Sequence, residues 1–285
     1  ILKGGSESIN TNKMLVKLIK DSLKKANIPQ DSVQLIEARE EVREILKLHN
    51  YMDLIIPRGS NKFVKYIQEN TKIPVLGHSE GICHVYVDKD ADISKAISIC
   101  FDAKCQYAAV CNAMETLLVH KDIAKKFLPL IADKYVEAKV ELRGDKETRK
   151  IIKTKEATET DWKSEYNDLV LSIKIVNSAD EAIAHINKYG SKHTDAIVTE
   201  NKKTAEKFLT LVDSSSIMHN CSTRFADGFR YGKGAEVGIS TAKIHARGPV
   251  GLEGLTIYKY VLRGNGQIVE DYANGKKKFT HKRIK

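Results

Sequence analysis

Cys111 is the residue whose type and setting most invite chemistry. It stands in Tyr107-Ala-Ala-Val-Cys-Asn-Ala-Met-Glu-Thr-Leu-Leu-Val119, after a helix-like stretch and just before a strand-like one, Glu115 to Val119. A thiol at the mouth of a strand stays reachable while its flanks pack, and a thiolate is a strong nucleophile near neutral pH. Taken alone, an isolated cysteine is more often a buried structural thiol, so the rest of the chain has to decide. Two glycine-bearing turns follow strand-like runs: Lys3-Gly-Gly-Ser-Glu7, containing Gly4, Gly5 and Ser6, and Pro57-Arg-Gly-Ser60, containing Arg58 and Gly59. Turns of this kind let backbone approach a ligand, and the N–H groups of a following helix favour phosphate. Neither turn matches the two common nucleotide fingerprints. Two long loops, Ser222 to Glu236 and Ile244 to Gly251, are rich in Gly and Arg. Within them Arg224 and Arg247 are candidates for gripping a carboxylate or phosphate with the guanidinium fork.

The elements that would position these residues follow a regular rhythm. Leu15, Leu18, Ile19 and Leu23 recur at helical spacing before Pro29. Strand-like runs are expected at Val33–Ile36, Asp53–Ile56 and Lys72–Val75, with helices over 40–49 and 61–68, the latter entered through Ser60 as N-cap. The pattern restarts near Gly81, with strands at 82–87, 115–119, 139–142, 169–176 and 195–199. Helices are expected over 93–103, 123–134, 178–189 and 202–211, the third closed by Gly190 as a left-handed C-terminal glycine. A last strand is expected from Leu255 to Leu262. Strand and helix alternating at this spacing predict an α/β chain of doubly wound, parallel-sheet class.

The 285 residues are enough for one large or two ordinary domains. No apolar run reaches the ~18 residues of a membrane span, and no signal-peptide pattern opens the chain. The five cysteines, at 83, 100, 105, 111 and 221, include no CxxC pair and no Cys/His cluster at zinc-ligand spacing. The expectations are therefore a reducing, cytoplasmic setting and no structural metal. The formal net charge of +10 is dispersed, except for Lys276–Lys278 with Lys282 and Arg283. A short basic tail of this kind reads as a solvated end, and a broad positive balance suits an anionic small molecule as well as a nucleic acid. The opening Ile1-Leu-Lys-Gly-Gly5, without an initiator Met, reads as the end of a buried strand, hence a fragment truncated at its N-terminus.

Several blocks together carry a resemblance. They are Cys111 to Leu118, Pro57 to Ser60, His193-Thr-Asp-Ala-Ile-Val-Thr199, Ser222 to Gly232, Gly234-Ala-Glu-Val-Gly-Ile-Ser-Thr241 and Lys243 to Gly251. From Ile1 to about Gly266 the sequence resembles the γ-glutamyl phosphate reductase family, the proline-biosynthesis branch of the aldehyde dehydrogenase superfamily. The tail past Gly266 looks most like fungal members. The resemblance implies NADPH-dependent reduction of L-glutamate 5-phosphate to the semialdehyde, with release of phosphate and with Cys111 as the nucleophile that forms a thioester. It implies an aldehyde-dehydrogenase-like fold divided as an incomplete Rossmann-like cofactor domain over 1–80, an α/β catalytic domain over 81–249, and an oligomerisation strand with a basic tail over 250–285.

By the same likeness Lys3, Gly4, Gly5 and Ser6 lie near the adenosine ribose and its 2′-phosphate. Arg58, Gly59 and Ser60 match the pyrophosphate turn, and Glu165 the acid that holds the nicotinamide ribose. Asn112, Arg224, Phe225 and Arg247 are the expected substrate contacts, and no metal is expected. The resemblance further implies a homodimer and functional pairing with glutamate 5-kinase, with neither nucleic-acid nor membrane partners. One departure from the wider superfamily is informative. Where hydrolytic members carry a general-base Glu, Pro74-Val-Leu-Gly-His78 places Val75, which favours reduction over hydrolysis of the thioester. Because the first strand–helix units of the family would lie upstream of Ile1, the site's residues are expected only in part, and this fragment alone is expected to be inactive. Two rivals remain at this stage. One is the reductase half of a bifunctional pyrroline-5-carboxylate synthase; the other is a nonenzymatic nucleic-acid-binding protein that kept the fold.

Overall fold

The computed structural model describes residues 1–78 and 80–281. Its first part is built from β1 (Leu2–Lys3), α1 (Ile9–Lys25), β2 (Leu35–Ile36), α2 (Arg39–Ile45) and α3 (Asn61–Glu69). β1 and β2 pair in parallel, Leu2 opposite Leu35. The expected strands at 53–56 and 72–75 reduce to one parallel bridge, Ile55 to Val75. A single pair with no flanking strands has nothing to extend its ladder. In α1 only Val16 is buried, and Leu15, Leu18 and Ile19 of its apolar stripe face solvent. The helical spacing holds there, but among the described residues the stripe has little to pack against.

The remainder is organised around β3 (Cys83–Val87), α4 (Ile93–Cys105), β4 (Met114–His120), α5 (Lys121–Glu137), β5 (Glu141–Gly144), β6 (Lys155–Glu156), β7 (Val170–Val176), α6 (Ala179–Tyr189), β8 (Thr194–Val198), α7 (Lys202–Leu211) and β9 (Ser216–His219). These seven strands form one sheet in the order β6-β5-β7-β4-β3-β8-β9, and every pairing in it is parallel. All residues of β3 and β4 are buried, as a parallel sheet covered on both faces requires.

Side-chain alternation along the strands separates two cores. Val85, Val87, Leu117 and Val119 pack with Phe127, Leu128 and Ile131 of α5 and Ala96 and Cys100 of α4. Tyr86, Leu118 and Ile197 pack on the other face with Ile183 and Ile186 of α6 and Phe208 of α7. Burying a side chain such as Phe127 contributes about 1.5–3 kcal/mol, and the two layers fix where each strand begins. A buried ion pair, Lys104 Nζ to Glu115 Oε2 at 2.7 Å, ties the end of α4 to the start of β4.

The chain closes with an antiparallel pair, β10 (Gly238–Ser240) and β11 (Gly248–Val250), and the short α8 (Val269–Ala273). Two expectations are corrected here. Gly190 ends α6 at φ −66, an extended and not a left-handed conformation. Its small size matters instead because a Cβ there would lie 2.6 Å from the Ile186 carbonyl oxygen. Leu255 to Leu262 forms no strand: residues 256–264 carry no regular structure, and Ile257 and Leu262 are 95% and 89% exposed. Among the described residues no neighbouring strand satisfies its backbone groups, so the β-prone sequence stays unpaired. Lys282 and Arg283 of the basic tail lie outside the described residues.

Candidate active site

Every connection that enters the amino end of a central strand contributes to one cluster. Cys111 and Asn112 precede β4, His78 and Gly81 precede β3, His193 precedes β8, and Glu165 precedes β7. In parallel sheets ligands more often sit at the carboxyl ends of strands. Here the thiol lies at the opposite edge, on the short turn between the end of α4 and β4, closed by Ala113 N–H to Val110 O at 2.9 Å.

The Cys111 turn is held from below by two residues. The buried Cys83 thiol donates to the Cys111 carbonyl oxygen at 3.2 Å. At Gly81 an added Cβ would stand 2.3 Å from that same oxygen, 2.7 Å from Cys111 Cα and 2.7 Å from Glu165 Oε1. Only a residue without a side chain lets these backbones approach so closely. Asn112 Nδ2 donates to Ala226 O at 2.8 Å, fastening the turn to the 222–236 loop, while Asn112 Oδ1 is buried without a partner.

Two histidines face the thiol. One donor atom from each of His78, Cys111 and His193 lies within 4.8 Å of the other two. The rings meet edge to face with centroids 4.7 Å apart. His78 Nδ1 is 2.7 Å from Ile239 O of β10. His193 is wholly buried, its Nδ1 2.9 Å from Thr194 Oγ1 and its Nε2 without a partner. Burial drives the His193 pKa well below the usual imidazole value. Burial also lowers that of His78, against its bond to Ile239 and assisted by Arg58. Both rings are therefore neutral near pH 7. Burial raises the Cys111 thiol to about 11, with Glu165 and Glu236 adding to the rise and Arg58 opposing it. In this state the thiol is protonated, and the burial that keeps both imidazoles neutral also makes them weak proton acceptors.

The Pro57–Ser60 turn joins the same site. Gly59 has φ +147, a conformation that favours glycine, and Ser60 caps α3 by accepting from Phe63 N–H at 3.4 Å. The Arg58 guanidinium lies against Gly238, where a Cβ would be 2.9 Å from its central carbon. Asn61 Nδ2 donates to Glu165 Oε2 at 3.4 Å. The structure thus brings together four of the residues singled out from sequence: Cys111, Asn112, Arg58 and Glu165. Arg224 stands on the rim, its Nε donating to Gln106 Oε1 at 2.9 Å just past α4, with the half-exposed Phe225 beside it.

Other candidates lie apart. Arg247 is paired with Asp213 at 3.0 Å, before β9, and Lys243 shares that carboxylate at 2.8 Å. Lys3, Gly4, Gly5 and Ser6 form the exposed turn between β1 and α1, where Lys3 Nζ donates to Gly4 O at 2.7 Å. No hydrogen bond among the described residues joins this turn to Cys111.

His78, His193, Gly81, Cys83 and Glu236 were not assigned roles from the sequence. His193 lies in one of the motif blocks, and the Gly-Ile-Cys-His run at Gly81 leads into β3. Those were the available signals.

The profile of the Aldehyde dehydrogenase family matches residues 1–163, which include Cys111. The chain is 60% identical over 292 residues to the γ-glutamyl phosphate reductase of Methanococcoides burtonii, a match covering 100% of this chain and 65% of that protein. It is 60% identical over 284 residues to that of Nostoc punctiforme, covering 99% and 65%. The crystal structure of the Thermotoga maritima γ-glutamyl phosphate reductase superposes with a TM-score of 0.90 at 46% identity, covering 93% of this chain and 65% of that one. The chain spans 65% of the length of these relatives.

Proposed function

From the premise that the chain belongs to the aldehyde dehydrogenase family, we propose that it carries the thiol centre of a γ-glutamyl phosphate reductase. The reaction would be the NADPH-dependent conversion of L-glutamate 5-phosphate to L-glutamate 5-semialdehyde and phosphate, the second step of proline biosynthesis. The observation that carries this reading is a half-buried Cys111 facing neutral His78 and His193, in a chain 60% identical to relatives so named.

In this reading Cys111 Sγ attacks the acyl carbon, the bond to the phosphate oxygen breaks, and a thioester remains on the protein. The thiol proton leaves to solvent or with the departing phosphate, because burial makes both neighbouring imidazoles weak bases. Asn112, with a buried and unpartnered side-chain oxygen, and Arg224 on the rim orient the substrate, the guanidinium matching an anionic group. NADPH, when bound, supplies the hydride that brings the thioester to the aldehyde level. The residues present fit such a cofactor. Arg58 and the free N–H groups at the start of α3 suit a pyrophosphate, and Asn61 links that helix start to the Glu165 carboxylate, the acceptor for a ribose hydroxyl. Lys3 to Ser6 would meet the adenosine end. Val75, half-buried in the bridge with Ile55, offers no base for water, so the thioester is kept for reduction.

Residues 1–80 then belong to a cofactor domain, 81–249 to the catalytic domain and 250–285 to an oligomerisation segment. The exposed Ile257, Tyr258, Tyr260 and Leu262 support pairing of that segment with a second copy, as a homodimer. Supply of the acyl phosphate by a glutamate 5-kinase and a cytoplasmic setting complete the reading. No helix among the described residues is long and apolar enough to cross a membrane. The test is the reverse reaction in the full-length protein: NADP+ reduction by the semialdehyde should require inorganic phosphate. A rate independent of phosphate, or salt-sensitive nucleic-acid binding without turnover, would contradict the reading.

A further inference from the structure

The geometry points to a second use of the Cys111 cluster: His78, Cys111 and His193 form a binding site for a thiophilic divalent cation of the zinc type, whose occupancy blocks the nucleophile. This inhibitory consequence rests on the reductase reading; the binding itself does not. One thiol sulfur and two imidazole nitrogens are the donor set that zinc prefers over harder cations. Their mutual separation, within 4.8 Å, is compatible with the roughly 3.5 Å between ligands of a tetrahedral zinc after at most a small adjustment. His78 sits on a connecting segment between the Val75 bridge and β3, where such an adjustment is available.

Two independent features favour a cation here. His78 Nδ1 is already engaged by the Ile239 carbonyl oxygen at 2.7 Å, the arrangement in which a backbone carbonyl fixes the tautomer of a metal-binding imidazole and leaves Nε2 as donor. His193 is fully buried, and its Nε2 has no hydrogen-bond partner, an unmet requirement that a ligand would satisfy. The local charge agrees: Glu165, Glu236 and Arg58 all act on Cys111, two carboxylates against one guanidinium. Binding would displace the thiol proton to solvent, giving a cation-bound thiolate. The fourth position stays open to water, because Cys111 and His78 are only partly buried.

The test uses full-length protein. Zinc is titrated against a chromophoric chelator, and cobalt(II) is added separately to read the near-ultraviolet thiolate-to-cobalt charge transfer. The expected result is that band, with zinc affinity falling roughly 100-fold or more in Cys111→Ser and in His78→Gln. Turnover of the wild type should fall with zinc and return with a chelator. His193 is buried and its variants risk misfolding, so His78→Gln carries the decision. Absence of the band, or affinity unchanged in both variants, would overturn the site. Zinc bound through the cluster with turnover intact would overturn the inhibitory role. If the protein shows no reductase activity at all, the cobalt spectrum still decides the site.

Discussion

Gly81 lies directly against Cys111: a methyl group at position 81 would stand 2.3 Å from the Cys111 carbonyl oxygen and 2.7 Å from its Cα. The contacts are with backbone, so no side-chain rotation relieves them. Gly81→Ala should displace the Cys111 turn, lowering stability by about 1–3 kcal/mol and activity by on the order of 100-fold, because small misplacements of a reacting group are costly. Thermal unfolding and kcat/KM on the same preparation check this. A variant with native activity would show that the turn tolerates the shift.

The nucleophile's own titration gives a second expectation. Burial raises the Cys111 thiol to about 11 against an ordinary value of 9.0. At pH 8 it should therefore alkylate roughly 100-fold more slowly than an exposed cysteine, with the rate climbing toward pH 11. Glu165 raises the value and Arg58 lowers it. Glu165→Gln should therefore speed alkylation at a fixed pH, and Arg58→Ala should slow it. Peptide-level mass spectrometry separates Cys111 from the partly exposed Cys105 and Cys221.

The Lys104–Glu115 pair supports the site from behind, and its effect depends on pH. Burial raises Glu115 from 4.5 to about 7, outweighing the pull of Lys104 in the other direction. A raised carboxyl contributes stability in full below its unfolded value, and that contribution is lost as pH rises through its folded value. Removing Lys104 raises Glu115 further, so the loss of stability with rising pH deepens. Lys104→Met should be nearly neutral at pH 5 and more destabilising at pH 8, by up to about 1.4 kcal/mol, because Glu115 then stays protonated in the folded state where the wild-type pair has begun to ionise. Denaturant unfolding at the two pH values measures it. An equal loss at both would mean that the pair acts only through packing.

Much of the architecture could be read before any coordinates. Helix α7 spans the residues expected of it, Ser60 and Ser178 are N-caps as their types indicated, and the alternation of strand and helix produced a parallel sheet. Cys111 stood out because its flanks have different periods. What escaped notice depends on tertiary assembly. His78 and His193 are far apart in the chain and meet only because β3 and β8 are neighbours. A test of Cys/His spacing along the sequence sees ligands only when they are close in the chain. Arg247, a candidate anion grip, is ion-paired with Asp213, a partner that no local spacing indicates. The Leu255–Leu262 segment has strand composition, yet a strand needs a partner that this chain alone does not provide.

The most direct test of the central claim is phosphate-dependent NADP+ reduction with glutamate 5-semialdehyde, measured in full-length wild type and in Cys111→Ala. A rate in the wild type that falls to background in the variant, with unfolding behaviour unchanged, is the predicted result. Turnover surviving the loss of the thiol would remove Cys111 from the chemistry and contradict the account.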